Sequence, residues 1–99
     1  MKDIIFNLKK EYFEDIKKGI KKEEYRETKD FWKKRLLNRE YRYVIIKLGY
    51  PSKEEEKDTN KVLIFKWEGF ELKKITHKQF DNKEIEVFAI KLNTRIDSL

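Results

Sequence analysis

Lys21, Glu24 and Arg26 form the group of side chains with the clearest capacity for chemistry in this sequence. Alternate residues of a strand leave the same face, so we expect Glu24 and Arg26 to lie side by side, with Lys21 at the turn before them. Two cations and one carboxylate on ordered backbone suit recognition of a phosphate or a polar base edge. The simpler alternative is that Glu24 and Arg26 only form an ion pair across a solvated strand face.

Two kinds of chemistry fit this cluster. In a binding site, Arg26 and Lys21 would hold a phosphate or a base edge, and Glu24 would accept a hydrogen bond from an exocyclic amine such as that of cytosine. In a hydrolytic site, a desolvated Lys21 beside Arg26 would lose its proton and act as a base, with Glu24 as its proton partner. A third hypothesis is a partner-binding or toxin-like role. We favour binding.

Gly19 and Trp32 are assigned to the same site by their positions. Gly19 follows an amphipathic helix, where glycine adopts a left-handed conformation at little cost and would set the turn that aims Lys21. Trp32 lies in a second predicted helix, and we expect it to border the ligand cleft as a surface on which bases stack. Its neighbour Phe31 is expected to serve core or rim packing instead.

The composition excludes several classes of site. The chain has 99 residues, which predicts one domain over residues 1–99. Cysteine is absent, so disulfides, thiolate metal sites and cysteine nucleophiles are excluded. The one histidine, His77, excludes a multi-histidine metal centre and makes a Ser-His-Asp triad a poor hypothesis. We therefore expect neither a metal nor a cofactor.

The charge balance favours an anionic partner. The chain carries 25 Lys and Arg against 19 Asp and Glu, a net charge of +6, and such a field attracts polyanions, nucleic acid first. Lys- and Glu-rich surfaces also occur in AT-rich or thermophilic proteomes, so the charge is modest support. No apolar run approaches the roughly 20 residues of a membrane span. We expect a cytoplasmic monomer that binds RNA or a nucleoside and no membrane.

The hydrophobic pattern predicts the elements that must position this cluster. Helical periodicity marks residues 10–18 and 29–37, and strand alternation marks residues 3–9, 22–27, 41–50, 62–72 and 85–92. Both helices lie in the first forty residues and no crossover helix follows them, which indicates a mostly antiparallel sheet. Gly69 shifts the alternation within the 62–72 strand, so we expect a bulge there that curls the sheet toward closure.

The same alternation predicts which positions are buried. The 41–50 strand is apolar on both faces in its middle and is expected at the centre of the sheet. Residues 53–60 contain no apolar side chain and predict a mobile surface loop, and residues 93–99 predict a loosely held tail. The expected core consists of Phe6, Leu8, Phe13, Ile16, Ile46, Leu48, Phe65, Val87 and Ile90.

These elements and motifs together resemble the ASCH domain family. The resemblance covers residues 3–92, and its most distinctive part is a helix followed by a signature that reads Tyr12-Phe13-x-x-Ile16-x-x-Gly19-x-Lys21-x-x-Glu24-x-Arg26. It implies an α+β, PUA-like fold: a small curled β-barrel of about five mostly antiparallel strands with two short helices near the N-terminus. It also implies a cleft between barrel and helices, lined by the three charged residues.

The resemblance further implies a function. ASCH family members are thought to bind RNA or modified nucleosides, and we expect the same here. One branch, similar to this chain at Lys21, deacetylates 4-acetylcytidine with a lysine, a threonine and a carboxylate, and another is reported as a ribonuclease. This chain has Glu24 where the deacetylating branch has its threonine, and a glutamate cannot simply replace a hydroxyl nucleophile. Hydrolysis of an acylated nucleoside, or of RNA, with Lys21 and Glu24 as catalytic residues, is therefore the alternative to binding.

Overall fold

A computed structural model describes residues 1–96, and this part of the chain contains two α-helices and seven strands. They are β1 (Ile4–Leu8), α1 (Lys10–Lys17), β2 (Glu23–Glu27), α2 (Asp30–Leu36), β3 (Tyr43–Leu48), β4 (Val62–Lys66), β5 (Phe70–Thr76), β6 (Glu84–Lys91) and β7 (Arg95–Ile96). Short 3-10 turns cover Glu55–Lys57 and Lys78–Phe80. None of the helices in residues 1–96 has the length and apolar character needed to cross a membrane.

The strands form two sheets, in the orders β1-β3-β4-β7 and β2-β6-β5. β1 pairs with β3 in parallel, and the other pairings are antiparallel. The intervening α1, β2 and α2 provide the long crossover that a parallel pair requires. The α+β class and the two N-terminal helices are thus confirmed, whereas the count of five strands was too low. No closed barrel is found over residues 1–96.

The core lies between the two sheets and the inner faces of the helices. β1 contributes Ile4, Phe6 and Leu8, which alternate with its more exposed residues as a half-buried strand requires. α1 contributes Phe13 and Ile16, and α2 contributes Leu36. The nine positions predicted to be buried are buried with one exception, since Leu48 is only partly buried. β3 lies between β1 and β4, as expected for a central strand.

The prediction of one long strand over residues 62–72 was wrong. The chain leaves the first sheet after Lys66 and enters the second at Phe70, so the shift in alternation marks a passage between sheets rather than a bulge. Gly69 lies at this junction with φ +83°, a conformation that favours glycine. Its carbonyl oxygen accepts a hydrogen bond from the Lys91 amide at 3.0 Å, which fixes the junction against β6.

The prediction of a loosely held tail from residue 93 was wrong for the part that the structure describes. β7 pairs with β4, with Ile96 opposite Ile64 and Arg95 opposite Phe65. The Lys66 amide also donates to the Thr94 carbonyl oxygen at 2.9 Å. A two-residue strand at the edge of a sheet carries too little alternation to be read from sequence. Residues 97–99 of the predicted tail lie outside the described residues.

We expect the replacement of Ile46 with alanine to lower the free energy of unfolding by about 2–5 kcal/mol, because Ile46 is fully buried in the central β3. Urea unfolding measures this loss. Ile5→Ala in the neighbouring β1 is the matched control, since Ile5 is exposed and its loss should be clearly smaller. An Ile46→Ala variant as stable as the parent protein would contradict this assignment of the core.

Candidate functional site

Glu24 is the only charged or polar residue that is fully buried among residues 1–96, with 0% of its surface exposed. It lies in β2 opposite Ile90 of β6, with Arg26 opposite Phe88. The Nζ atom of Lys21 is 3.4 Å from Glu24 Oε1, and the Nη2 atom of Arg26 is 2.7 Å from Glu24 Oε2. The structure therefore brings the three charged residues together, and each carboxylate oxygen faces one cation.

The burial of Glu24 makes these two cations a physical necessity. Removing a carboxylate from water has an energetic cost of several kcal/mol, which is offset only when opposite charges and hydrogen bonds surround it. Lys21 and Arg26 supply the opposite charge, and their side chains are 8% and 21% exposed. The cluster thus carries a net positive charge and presents it at the protein surface. An ion pair on a solvated strand face does not describe it.

The end of α1 fixes the backbone from which Lys21 projects. Gly19 adopts φ +77° and its amide donates to the Ile16 carbonyl oxygen at 3.0 Å. The amides of Ile20 and Lys21 both donate to the Asp15 carbonyl oxygen, at 2.9 and 3.0 Å. This is the Schellman pattern of a helix end, which requires the left-handed residue that Gly19 provides. A Cβ atom at Gly19 would meet nothing within 4 Å, so the requirement is conformational rather than steric.

Lys21 is held among aromatic and polar groups that come from distant parts of the chain. Its Nζ atom lies 4.7 Å from the ring centroid of Tyr25 and 5.4 Å from that of Tyr12, within the range of cation–π attraction. The Oε1 atom of Gln79 is 3.5 Å from the same nitrogen, at the limit of a hydrogen bond. Gln79 also donates to the Tyr25 carbonyl oxygen at 3.3 Å, which ties the 3-10 turn to β2.

His77 lies beside this lysine. Its ring packs against the rings of Tyr12 and Tyr25, with centroids 5.9 and 5.6 Å apart. Its Nδ1 atom accepts a hydrogen bond from the Gln79 amide at 3.1 Å, so the neutral ring carries its proton on Nε2. Burial lowers the pKa of His77 below its ordinary value of 6.5, and the charges of Lys21 and Lys78 lower it further. His77 is therefore neutral at pH 7.

A first cleft of about 590 Å³ opens at the Lys21 side of the cluster. Lys21, Tyr25 and His77 line it. The remaining charged residues of its wall are Asp15, Lys22, Glu23, Glu71 and Lys91. With Lys21 counted, three cations face three carboxylates, so the wall is close to neutral at pH 7. Such a wall suits a polar, uncharged ligand better than a polyanion.

Arg26 occupies the opposite side of Glu24 and stacks on aromatic rings. The guanidinium carbon lies 5.0 Å from the Phe6 ring centroid and 4.9 Å from that of Trp32. Phe6 and Trp32 also contact each other, with centroids 5.4 Å apart. Arg26 and Trp32 together line a second cleft of about 450 Å³ and a third of about 250 Å³. Trp32 therefore borders two clefts.

Of the two roles expected of Phe31, the structure excludes core packing and leaves packing at the rim. Its side chain is 54% exposed and lines the second cleft next to Trp32, with the two rings at right angles and their centroids 4.9 Å apart. Both aromatic residues of α2 consequently face the same opening. A seven-residue helix with Leu36 as its fully buried residue leaves its remaining large side chains near the surface.

Two polar atoms of the cluster have no hydrogen-bond partner among the described residues, namely Glu24 Oε2 and Arg26 Nε. The 2.7 Å contact between Arg26 Nη2 and Glu24 Oε2 is an ion pair whose N–H direction is not aligned for a hydrogen bond. The charge attraction between the two groups does not depend on this alignment. Buried polar atoms without partners are uncommon in folded proteins, so each one calls for an explanation.

Glu24 lines none of the three clefts, because Lys21 and Arg26 cover its two oxygens. In this conformation it positions the cations rather than facing a ligand. Four of the residues around the cluster were not assigned to the site from sequence: Tyr12, Tyr25, His77 and Gln79. Two of them carried a local signal, since Tyr12 begins the quoted signature and Tyr25 lies between Glu24 and Arg26. Gln79 carried none, because it lies 58 positions from Lys21.

Residues 1–96 contain no group of three or more His, Asp or Glu side chains arranged to hold a metal ion.

Comparison of the chain with protein-family models, with curated proteins and with solved structures finds no match in any of the three. The chemistry of the site therefore rests on its own geometry.

We expect Glu24→Gln to lower the free energy of unfolding by about 3–5 kcal/mol, since it leaves two largely buried cations without their counter-charge. Glu27→Gln in the same strand is the control. Glu27 pairs at 2.7 Å with Lys29, which is 74% exposed, so its loss should be about 1 kcal/mol or less. Chemical denaturation measures both. Equal effects of the two substitutions would refute a special role for the buried carboxylate.

The lowered pKa of His77 predicts a pH dependence of stability. The unfolded chain takes up the histidine proton near pH 6.5 and the folded protein only at lower pH, so stability should fall as pH decreases through this interval and stay constant above it. Proton NMR resolves the titration directly, because the chain has one histidine. His77→Asn keeps an acceptor for the Gln79 amide and should remove the dependence. A titration midpoint at or above 6.5 would disprove the prediction.

Proposed function

We propose that this protein binds RNA or a modified nucleoside at the cluster of Lys21, Glu24 and Arg26. The observation that carries the proposal is one buried carboxylate that holds two cations, each against aromatic rings and each at the edge of a cleft. Cations beside aromatic rings are the groups with which proteins hold unpaired bases and their phosphates. The net charge of +6 favours the same class of ligand.

The Arg26 side provides groups for a base. The rings of Trp32 and Phe31 border the second cleft, and a base stacked on such a ring contributes about 1–3 kcal/mol. The guanidinium of Arg26 contacts Glu24 and the two rings, yet the side chain is 21% exposed and lines both neighbouring clefts. Arginine donors can contact the acceptors of a base edge or a phosphate in a bidentate manner.

The Lys21 side provides a pocket for a single nucleoside. A volume of about 590 Å³ falls within the usual range for small-molecule sites. Lys21 would donate to a base carbonyl or sugar hydroxyl, while Tyr25 and His77 would contact the rings of the ligand. Glu24 would accept from an exocyclic amine only if Lys21 moved aside, so its main role in this proposal is to position the cations.

We also propose that the two sheets constitute an ASCH-like, PUA-like domain in a cytoplasmic monomer. Support comes from the order of β1, α1, the turn at Gly19 and β2, which matches the signature on which the resemblance was based. Further support comes from the passage of the chain between sheets at Gly69, which brings β5 and β6 beside β2. A curled sheet of this kind would place the signature residues between strands and helices.

A hydrolytic function is the second candidate, and the position of His77 favours it. His77 is neutral at pH 7 and lines the same cleft as Lys21, whose Nζ atom is 3.4 Å from a carboxylate oxygen. A neutral imidazole beside a cation is a possible general base, as RNA cleavage or amide hydrolysis would require. Incubation of the protein, of His77→Asn and of Lys21→Arg with 4-acetylcytidine and with a short RNA, followed by mass spectrometry, separates this candidate from binding. Turnover that is absent in His77→Asn would establish the enzyme with His77 as its base, and turnover that is absent in Lys21→Arg would assign the base to Lys21.

We expect the affinity for single-stranded RNA to fall steeply as salt increases. For each tenfold increase in salt concentration, the association constant should decrease by about 0.7 logarithmic units per contacted phosphate. Arg26→Lys keeps the charge beside Glu24 but loses the planar fork, so affinity should decrease by roughly 5- to 150-fold. Fluorescence titration and thermal shift with nucleosides and oligonucleotides measure both effects. Arg95→Lys is the control, since Arg95 is exposed and lines none of the three clefts. Unchanged affinity in Arg26→Lys, or no binding at low salt, would remove the proposal.

A further inference from the structure

The second and third clefts belong to a longer groove that runs along α2. The third cleft shares Arg26 and Trp32 with the second, and the second shares Arg35 and Tyr41 with a fourth cleft of about 400 Å³. The shared residues place the three openings next to one another along one side of the protein. We call this surface the α2 groove, and it comprises the second, third and fourth clefts.

Exposed aromatic rings line the middle of the α2 groove. Phe31 is 54% exposed and Tyr50 is 91% exposed, and both lie beside Trp32 in the second cleft. The guanidinium carbon of Arg35 lies 3.5 Å from the Phe31 ring centroid, and its Nη1 atom donates to the Phe31 carbonyl oxygen at 3.0 Å. Arg35 thus holds the ring in place. Aromatic rings kept at the surface in this way are suited to stacking with flat ligands.

Positive charge dominates the end of the α2 groove. The fourth cleft is lined by the cations Lys2, Lys34, Arg35 and Arg39 and by one carboxylate, Glu40. The carboxylates of the other two clefts are already neutralised by cations. Asp3 is held by Arg42 at 3.1 Å and Glu27 by Lys29 at 2.7 Å. The groove therefore differs from the charge-balanced first cleft, and it attracts anions.

We propose that the α2 groove binds a single-stranded polynucleotide, with bases on Trp32 and Phe31 and the following phosphates on Lys34 and Arg39. This inference rests on the proposed function in taking nucleic acid as the ligand, and it adds that a chain of several nucleotides is bound rather than one nucleoside. Stacking rings contact only bases that are not already paired and stacked, so a duplex does not use the middle of the groove. An acidic peptide would contact the cations but would have no base to stack on the aromatic rings.

The first experiment is a length series. The fluorescence of Trp32, measured in a Trp67→Phe background so that it is the one remaining tryptophan, reports binding of a uridine mononucleotide, tetranucleotide and octanucleotide. We expect affinity to increase at least about tenfold from the mononucleotide to the longest oligomer, because additional phosphates reach the fourth cleft. Oligo-thymidine of the same lengths distinguishes DNA from RNA as the source of the strand. Oligo-glutamate tests the acidic peptide, and hairpin RNA tests the duplex.

The second experiment uses variants matched in charge. Lys34→Ala combined with Arg39→Ala should make the plot of log affinity against log salt concentration shallower. The slope should change by about 1.4, the value for two phosphates of a single strand. Lys53→Ala combined with Lys83→Ala changes the net charge equally, and both lysines are exposed and lie outside the groove. Phe31→Ala should weaken the longest oligomer roughly 5- to 150-fold. Leu72→Ala, an exposed apolar residue on β5, is its control.

The outcomes separate this inference from the proposed function. If nucleosides bind in a way that depends on Arg26, but affinity does not increase with length and the groove variants behave like their controls, the α2 groove does not bind a polynucleotide and the proposed function stands. If oligo-glutamate binds as tightly as the octanucleotide, or Phe31→Ala has no effect, the polynucleotide assignment is overturned. If long oligomers bind through the groove while Arg26→Lys has no effect, the inference holds and the proposed role of Arg26 fails.

Discussion

The buried carboxylate of Glu24 is the constraint on which the rest of the site depends. It lies in β2 beside the buried centre of β6, where an unpaired charge would be strongly destabilising. Two cations must therefore approach it, and each cation needs its own support. The turn at Gly19 supplies the backbone for Lys21, whereas Phe6 of β1 and Trp32 of α2 enclose the guanidinium of Arg26.

Stability alone gives no reason for an ionic cluster at this position. A buried ion pair is often no more stabilising than well-packed apolar residues of similar volume. The apolar residues of β6 that face β2 would accept such a replacement, since Phe88 and Ile90 already belong to the core. The cluster instead leaves two polar atoms without hydrogen-bond partners among the described residues. Folded proteins depart from a fully hydrogen-bonded, well-packed core mainly at functional sites.

Much of the fold and part of the site could be predicted from sequence. Period-two alternation identified the faces of β1 and β3, and the spacing of Glu24 and Arg26 placed both side chains on one face of β2. The exchange of sheets at Gly69 could not be predicted, because a shift in alternation at a glycine fits a bulge within one strand as well as a passage between two sheets. The surroundings of Lys21 could not be predicted either. Gln79 approaches it through the pairing of β5 with β6, a long-range contact without a local pattern.

The two sides of Glu24 differ in their electrostatic surroundings, although one carboxylate serves both. Lys21 faces a cleft in which cations and carboxylates are equal in number, so the field there is weak and short-range contacts decide what binds. Arg26 faces a groove in which Asp3 and Glu27 are neutralised by ion pairs and whose far end has more cations than carboxylates, so the field there extends outward and attracts anions before contact. A ligand with both a polar base and a charged backbone matches both sides. A small uncharged metabolite would match only the first.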